Sequence, residues 1–598
     1  MADRFPLIID SAEEKIKELV SGDNLDLTGN SIKNADYIQT AEANIAGIVT
    51  ATKFKGDGSE LDNLPAGGSS LEATASGTLA DGDTVIVNAD GTVSAVVGNQ
   101  IGWIITLADT DTRSGLDYFQ ASAVDSSGNV YLVGYTSTEG QGNREALISK
   151  YNSSGVLQWQ RLLGDSNPNY AYGVVLDSLG DVYVAGMGDS YKGIIFKYNS
   201  SGTLQWQKEV PDMQHAFIAM DSSSNIYVAG TYYTGGNNDR NWLIMKLNNS
   251  GSLTWAREMT GSSTTDLVTG MAVDSSGNVF VSGYNFGGYA GIVKYNTSGT
   301  FQWHRKLDGS SWEYSGGVAV DSSGNSYLLV HSGSSGSNDT SNGNMVIAKY
   351  NSSGNLQWHR TIGAGSYQEF DFNSNSIAID SSNNIYIIVE TTSPEAAGDR
   401  DYLIAKYNDS GAIQWQRLLG GADRENSSGI SVDNSGYVYI TGNTQSTDAV
   451  SDSRTDGFAA KLPDDGTGTG TYGVFTYVES NLTESAGGLT DSAGWLSDSS
   501  SSVSISNGSL TPATGTVPST TTSITSTNLT AENYIGISDG AYSDGQTATI
   551  QVTGAVDDAQ SSLTPGQAYY VQDDGTLGES GSVFAGTAVA ATKLIVKG

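Results

Sequence analysis

The sequence predicts an all-β protein: a seven-bladed β-propeller, flanked by a fibre-like N-terminal segment with one short helix and by small C-terminal β-modules. Three observations predict this. A four-strand unit recurs seven times between about residues 101 and 463. Glycine is abundant at 74 residues and proline scarce at 9, which suits tight hairpins. The order of the repeats leaves a spare strand at the start and a missing one at the end, so pairing them would close a ring and remove an open edge.

Each unit reads strand, Asp-Ser-Ser-Gly-Asn turn, strand, variable loop, strand ending Lys-Tyr-Asn, Ser-Ser-Gly turn, strand containing Gln-Trp. The first turns open with Asp125, Asp177, Asp221, Asp274, Asp321, Asp380 and Asp433. The third strands end at Lys150, Lys197, Lys246, Lys294, Lys349, Lys406 and Lys461. The strand tryptophans are Trp103, Trp159, Trp206, Trp255, Trp303, Trp358 and Trp415. Runs such as Asn129-Val130-Tyr131-Leu132-Val133 are rich in strand formers bounded by turn residues. Trp103 precedes the first Asp, and Lys461 has no tryptophan strand after it. The Trp103 strand is therefore expected to complete the seventh blade.

Val124-Asp125-Ser126-Ser127-Gly128-Asn129-Val130-Tyr131 and Lys349-Tyr350-Asn351-Ser352-Ser353-Gly354-Asn355-Leu356-Gln357-Trp358 resemble the bacterial β-propeller repeat family of the SBBP type, and are similar to NHL repeats. The resemblance spans residues 101–463. It implies the fold and little about activity, since propellers host many functions.

Composition excludes several classes. Lys plus Arg is 29 against 65 Asp plus Glu, a net charge of −36, so nucleic acid and anionic membranes are poor partners. Without cysteine there is no disulfide framework, thiolate metal site or cysteine nucleophile. No apolar run is long enough to span a membrane, and the start lacks the pattern of a signal peptide. The four histidines (His215, His304, His331, His359) have no metal-ligand spacing, and His304 and His359 follow blade tryptophans. The Asp turns carry too little charge for calcium and read as Asx turns. No catalytic residue, metal site or cofactor is expected, and the chain is read as not an enzyme.

The turns between strands one and two, and between three and four, leave one end of every blade and are nearly identical. Loops at the opposite end vary, so that end is the expected binding face. Its aromatics suit sugar recognition, where rings stack on sugar faces beside polar groups. The candidate ligand-binding residues are Tyr118, Tyr170, Tyr172, Tyr232, Tyr233, Trp312, Tyr314, Tyr367 and Phe370. Glu313, Glu369 and Asp371 are the carboxylates to test under the alternative of a polysaccharide depolymerase. Arg144, Arg240 and Arg400 each lie six residues before a blade lysine, which suggests a structural ion pair or loop anchor.

The chain divides into an N-terminal docking and oligomerisation segment (1–70), a small β-module (71–100), the propeller (101–465), a Ser/Thr/Gly-rich linker and β-module (466–529) and a C-terminal β-domain (530–598). Ser11-Ala12-Glu13-Glu14 has a capping-box pattern and predicts a short helix to about Val20. Thr52-Lys53-Phe54-Lys55-Gly56-Asp57-Gly58-Ser59-Glu60-Leu61-Asp62-Asn63-Leu64-Pro65 resembles segments of bacteriophage tail-fibre and other virion appendage proteins. Leu563-Thr564-Pro565-Gly566-Gln567-Ala568-Tyr569-Tyr570-Val571 is similar to β-domains of cyanophage and other phage virion proteins. These resemblances imply a homotrimeric virion appendage (fibre, whisker or tail-associated adhesin). It would be located on the virion and released by lysis, with other virion proteins and host cell-surface polysaccharide as partners. A structural decoration or spacer without ligand is a further alternative. The matching hairpins near residues 83–93 and 568–577 suggest that the two flanking modules form one β platform.

Overall fold

The computed structural model describes Phe5–Asp10, Lys15–Leu19 and residues 70–596. The exceptions are 89–90, 97, 108–115, 138–143, 235–239, 262–264, 286, 334–342, 363–367, 370–374, 393–398, 447–454, 481–483, 487–488, 494–496, 501–502, 504, 508–509, 528–533, 573–574 and 582. The chain forms two compact units, Met1–Ala66 and Gly67–Gly598. In the first, Phe5–Asp10 pairs antiparallel with Lys15–Leu19. This corrects the expected helix over 11–20. Ten residues are too few for an isolated helix to persist on a local cap alone. The apolar Phe5–Asp10 strand instead offers Lys15–Leu19 a hydrogen-bonded partner, with Ile9 opposite Ile16. The fibre-like residues 24–65 lie outside the described residues.

The second unit is all-β. Its one helical element among the described residues is the 3₁₀ turn Asp189–Tyr191. Residues 118–463 fold into seven consecutive antiparallel sheets, here numbered I to VII, each meandering from its first strand to its last. They cover 118–164, 170–210, 213–260, 266–308, 313–362, 368–420 and 425–463. Sheet VII supplies only three strands of its own. Gly98–Leu107 takes the fourth place, with Trp103 opposite Lys461.

The first strand of each sheet lies against the first strand of the next, and Glu425–Val432 of sheet VII lies against Tyr118–Val124 of sheet I. Middle strands such as Val130–Thr136 and Ile385–Thr391 are buried throughout, because a neighbouring sheet covers each face. The core accordingly splits into seven apolar clusters, each drawn from two adjacent sheets. The cluster of Trp103, Leu107, Phe119, Leu147 and Tyr439 joins sheet VII to sheet I.

The segment 466–529, expected as linker and β-module, takes a different course. It runs around the outside of the sheets and adds an outer strand to each of them, in the order VI, V, IV, III, II, I, VII. The residue two after each blade tryptophan meets this belt at a fixed step. Arg417 is opposite Glu479, Arg360 opposite Ala486 and Arg305 opposite Ala493. Arg257 is opposite Ser500, Lys208 opposite Asn507, Arg161 opposite Thr514 and Ile105 opposite Thr521. The belt therefore advances seven residues per sheet, about 23 Å of extended chain at ~3.3 Å per residue.

Its apolar residues follow the same step. Leu489 packs into the IV/V cluster, Val503 against II/III, Leu510 into I/II, Val517 into VII/I and Ile524 into VI/VII. The side-chain amides of Gln160 and Gln207, each following a blade tryptophan, clasp the belt backbone. Gln207 accepts from Leu510 N–H (3.0 Å) and donates to its carbonyl (2.8 Å), and Gln160 accepts from Val517 N–H (2.8 Å). The belt covers seven sheet edges that would otherwise invite pairing with another chain.

The two flanking modules meet. Ser70–Thr74 pairs with Thr547–Gln551, and Thr84–Val87 pairs with Tyr534–Ser538. A second sheet is built from Ala568–Val571, Val583–Ala590, Lys593–Val596 and two short strands. Ile86, Val96 and Ile537 share one core with Val571, Ala585 and Leu594. Residues 70–95 and 534–596 thus form one platform, and the seven sheets are inserted between its halves.

Candidate functional site

Each sheet has two ends, and their chemistry differs. At the end with the repeated turns, the Asp carboxylate accepts the N–H groups two and four residues on. For Asp125 these are Ser127 and Asn129, both at 2.9 Å. The other oxygen takes the hydroxyl of the tyrosine six residues on in six sheets, as in Tyr183 to Asp177 (3.0 Å). Sheet IV has Phe280 there, and Asn278 donates to Asp274 instead (2.7 Å). Burial and the Asp125 carboxylate push the Tyr131 hydroxyl well up, so it stays a donor. Burial tends to raise the Asp221 carboxyl, but bonds from Asn225, Tyr227 and Ser223 outweigh this and hold it down.

The blade lysine lies over an aromatic ring of its own sheet, for example Lys197 at 4.6 Å from the Tyr183 centroid. Every blade tryptophan donates its indole N–H to a carbonyl in the next sheet's last turn. The series runs from Trp159 to Ser200 (3.2 Å) through Trp415 to Asp464 (2.8 Å) and Trp103 to Ser153 (3.2 Å). The turn glycine packs on that ring. A Cβ on Gly354, whose φ is +79°, would lie 2.7 Å from Trp303. These turns bind neighbouring sheets together, and their carboxylates are engaged within the chain.

The opposite end is irregular and aromatic. Tyr118 opens sheet I and pairs across the strand with Tyr135, the rings stacked at 4.7 Å. Tyr135 meets Tyr170 of sheet II edge-on at 4.9 Å, Tyr170 stacks with Tyr172 at 5.9 Å, and Tyr172 meets His215 of sheet III at 5.7 Å. Alternate residues of a strand share a face, which places Tyr170 and Tyr172 together. Arg144 lies over Tyr135 and Tyr170 (5.5 and 5.7 Å) and donates to the Tyr170 hydroxyl at 2.8 Å.

In sheet III, Tyr233 stacks on the exposed Tyr191 at 5.1 Å, lies under Arg240 at 4.7 Å and donates to Gln214 at 2.9 Å. Burial, reinforced by Arg240, lowers His215 to about 4, so it is neutral at physiological pH. In sheets IV and V, Tyr284 meets Tyr314 at 4.6 Å, Tyr314 stacks with Trp312 at 5.1 Å and Trp312 meets His331 at 4.7 Å. An aromatic arc thus extends over sheets I to V.

Of the nine candidate residues, Tyr118, Tyr170, Tyr233, Trp312 and Tyr314 lie in the arc and are half-buried. Tyr172 also lies in it but is buried, and Tyr232 packs on the II/III cluster. Tyr367 and Phe370 lie outside the described residues. Tyr135, Tyr191, His215 and His331 join the arc without having been singled out. Tyr135 was findable as the last aromatic of the strand that follows Tyr118. His331 sits opposite Tyr314 within sheet V, while Tyr191 and His215 depend on contacts between sheets that spacing does not encode.

The carboxylates divide differently. Glu313 is fully buried, accepting from Gly309 N–H (3.0 Å) and the Ser332 hydroxyl (3.1 Å), so it holds a sheet connection and faces no solvent. Asp371 and the side chain of Glu369 lie outside the described residues. Glu425 of sheet VII repeats the Glu313 bonding, accepting from Gly421 N–H (3.1 Å) and Thr444 (2.8 Å). Burial, with Asp401 adding to it, pushes its carboxyl up to about 7. Arg400 and Arg424 both face Glu390, at 3.0 and 4.0 Å. Sheets VI and VII are therefore ionic where I to V are aromatic.

Among the first strands lies a cavity of about 120 Å³, lined by residues including Ser122, Tyr172, Phe217, Met271 and Asn375. It falls below the ~300 Å³ at which ligand pockets begin. Among the described residues no cluster of metal-ligating side chains occurs, and no helix is long and apolar enough to cross a membrane.

Three stretches, residues 158–192, 254–284 and 414–448, match the SBBP family, described as a beta-propeller repeat. No curated protein matches the sequence. Among solved structures the chain is similar to a puromycin hydrolase at 10% identity and a TM-score of 0.39, covering 63% of this chain and 55% of the hydrolase. It is similar to the β-propeller domain of the Trilobed protease from Pyrococcus furiosus at 11% identity and 0.34, covering 56% and 91%. It is also similar to the polysaccharide lyase Uly1 at 8% identity and 0.34, covering 66% and 100%. The chain thus spans about half the length of the hydrolase it matches, and its repeats are those of a β-propeller protein.

Proposed function

We propose that the seven sheets are blades of one closed seven-bladed propeller, and that the protein is a bacteriophage virion appendage that attaches to a host-surface polysaccharide. The observation that carries the binding role is the aromatic arc. Half-exposed rings are arranged there on the one end of the propeller whose residues differ from blade to blade. Such rings supply flat apolar platforms with polar tips at low entropic cost, the chemistry that sugar faces fit. Weak sites gain by multivalency when several copies share one appendage, as the tail-fibre resemblance of residues 52–65 implies. The depolymerase alternative loses Glu313, whose carboxylate is fully buried and engaged in structure. A spacer without ligand is the second reading, favoured by the way the rings already stack on one another.

The test is adsorption of the fluorescently labelled full-length protein to a panel of bacterial strains. The fragment 101–465 is unsuitable, because it lacks the belt that covers its outer edges. Saturable adsorption, abolished by periodate oxidation of the cells and reduced by Tyr118→Ala or Tyr314→Ala in a folded protein, is expected. Adsorption unchanged by both variants would remove the arc from the reading. No adsorption to any strain would leave the spacer.

A further inference from the structure

Arg144, Arg240 and Arg400 stand at the start of the third strands of sheets I, III and VI. The expectation that this recurrence marks a structural ion pair or loop anchor takes the ion-pair form at Arg400, which meets Glu390. The other two take a different form. Among the described residues neither Arg144 nor Arg240 pairs with a carboxylate. Each lies over tyrosine, Arg144 over Tyr135 and Tyr170, and Arg240 over Tyr233. The chain does not lack acids, with 65 Asp and Glu to 29 Lys and Arg. Two half-buried guanidiniums that meet tyrosines and no described carboxylate, in so acidic a protein and on the aromatic arc, are positions at which an external anion completes the coordination.

We propose that the arc takes an acidic polysaccharide, with Arg144 and Arg240 each holding the carboxylate of an acidic sugar while the tyrosines beside them carry the sugar ring. This rests on the reading of the arc as a glycan-binding face. A guanidinium offers parallel N–H donors in a fork that fits a carboxylate, and a stacked tyrosine fixes the plane of that fork. Arg144 spends one donor on the Tyr170 hydroxyl, which orients it and leaves the rest of the fork available. The net charge of −36 does not forbid a polyanion at contact, because charges beyond about 8 Å are screened at physiological salt. Arg400 and Arg424, which share Glu390, are already satisfied and are not assigned to the ligand.

The test uses the full-length protein and titrates it with alginate, polygalacturonate and polysialic acid. Each polymer is compared with its carboxyl-reduced form, with dextran and dextran sulfate as further probes. Binding to at least one carboxylated polymer is expected, weakened at least tenfold on carboxyl reduction. Arg144→Gln and Arg240→Gln should each weaken it by about tenfold, the loss of a charge-assisted hydrogen bond, with unchanged thermal unfolding. The polymer comparison on the unmodified protein decides the matter should a variant not fold. Equal binding to reduced and carboxylated polymers overturns the acidic ligand and spares the glycan reading. Preference for dextran sulfate overturns the carboxylate assignment. No binding to any polymer overturns both.

Discussion

The two ends of the sheets are built from the same strands and behave as different materials. At the turn end, Asp, Tyr, Lys, Trp and Gly take corresponding positions in nearly every sheet, and each tryptophan bonds the next sheet. At the other end, among the described residues, no side-chain arrangement recurs in all seven. Sheets I to V carry an aromatic arc and VI to VII an ion cluster. A repeat protein draws its stability from interfaces between neighbours. Once one end supplies those interfaces seven times over, the other end is released to vary, and variation is what a binding surface requires.

The sharpest way to break this comparison is to remove one tryptophan from each end. Trp103 is 1% exposed, bonds Ser153 and lies in the cluster joining sheet VII to sheet I. Trp103→Ala should cost about 3–5 kcal/mol, the range for deleting a buried aromatic. Trp312→Ala, in the half-buried arc, should cost about 1 kcal/mol, near the centre for ordinary substitutions. Denaturant unfolding measured on both variants checks this. Equal losses would mean that the arc is as structural as the tryptophan contacts at the turn end.

A second contrast lies in pH. Glu425 has its carboxyl raised to about 7 by burial, with Asp401 adding to the rise. A carboxyl that holds its proton more tightly when folded stabilises the protein most below its unfolded value of about 4.3. That stability is lost as pH climbs from about 4 to 7, by roughly 3 kcal/mol in all. When protonated it needs an acceptor, and Thr444 can serve by turning its own hydroxyl to the Ser446 carbonyl at 3.5 Å. Glu425→Gln should therefore be more stable than the parent at pH 8 and lose that advantage at pH 5. Unfolding curves at the two pH values test it, and parallel curves for parent and variant would refute the titration.

The repeated end was legible because its pattern is dense: seven Asp, seven Lys and seven Trp at matched positions define strand count and order. The place of Trp103 in sheet VII followed from that order. The belt was hidden by a different period. Strand readings look for alternation at two and helix readings near 3.6. Phe475, Leu482, Leu489, Leu496, Val503, Leu510, Val517 and Ile524 recur at seven, in a stretch rich in Ser, Thr and Gly. Apolar residues that sparse read as linker composition. The stretch becomes structure because Phe475, Leu489, Val503, Leu510, Val517 and Ile524 each meet a gap between two sheets. The capping box at Ser11 misled in the opposite way, since a correct local signal lost to the nearby strand Phe5–Asp10. The arc was half legible: Tyr118, Trp312 and Tyr314 could be named, but not the contacts that carry it from one sheet to the next, such as Tyr135 on Tyr170 and Tyr172 on His215.

The belt itself gives the smallest expected effect and the most local one. Leu510 is 7% exposed and packs between sheets I and II, while the next residue, Thr511, points to solvent. Leu510→Ala should cost about 2–3 kcal/mol, at the lower end for buried leucines, because a four-residue strand at an outer edge can settle partway into the space. Thr511→Ala should change stability by less than about 0.5 kcal/mol. The more telling readout is hydrogen exchange. Arg161 to Gly164 pair with Thr511–Thr514, so loosening the anchor should speed exchange along that edge and leave Val130–Thr136, three strands inward, unchanged. Faster exchange across all of sheet I would mean that the belt is part of the same cooperative unit as the blades, joining the repeated end rather than merely covering its edge.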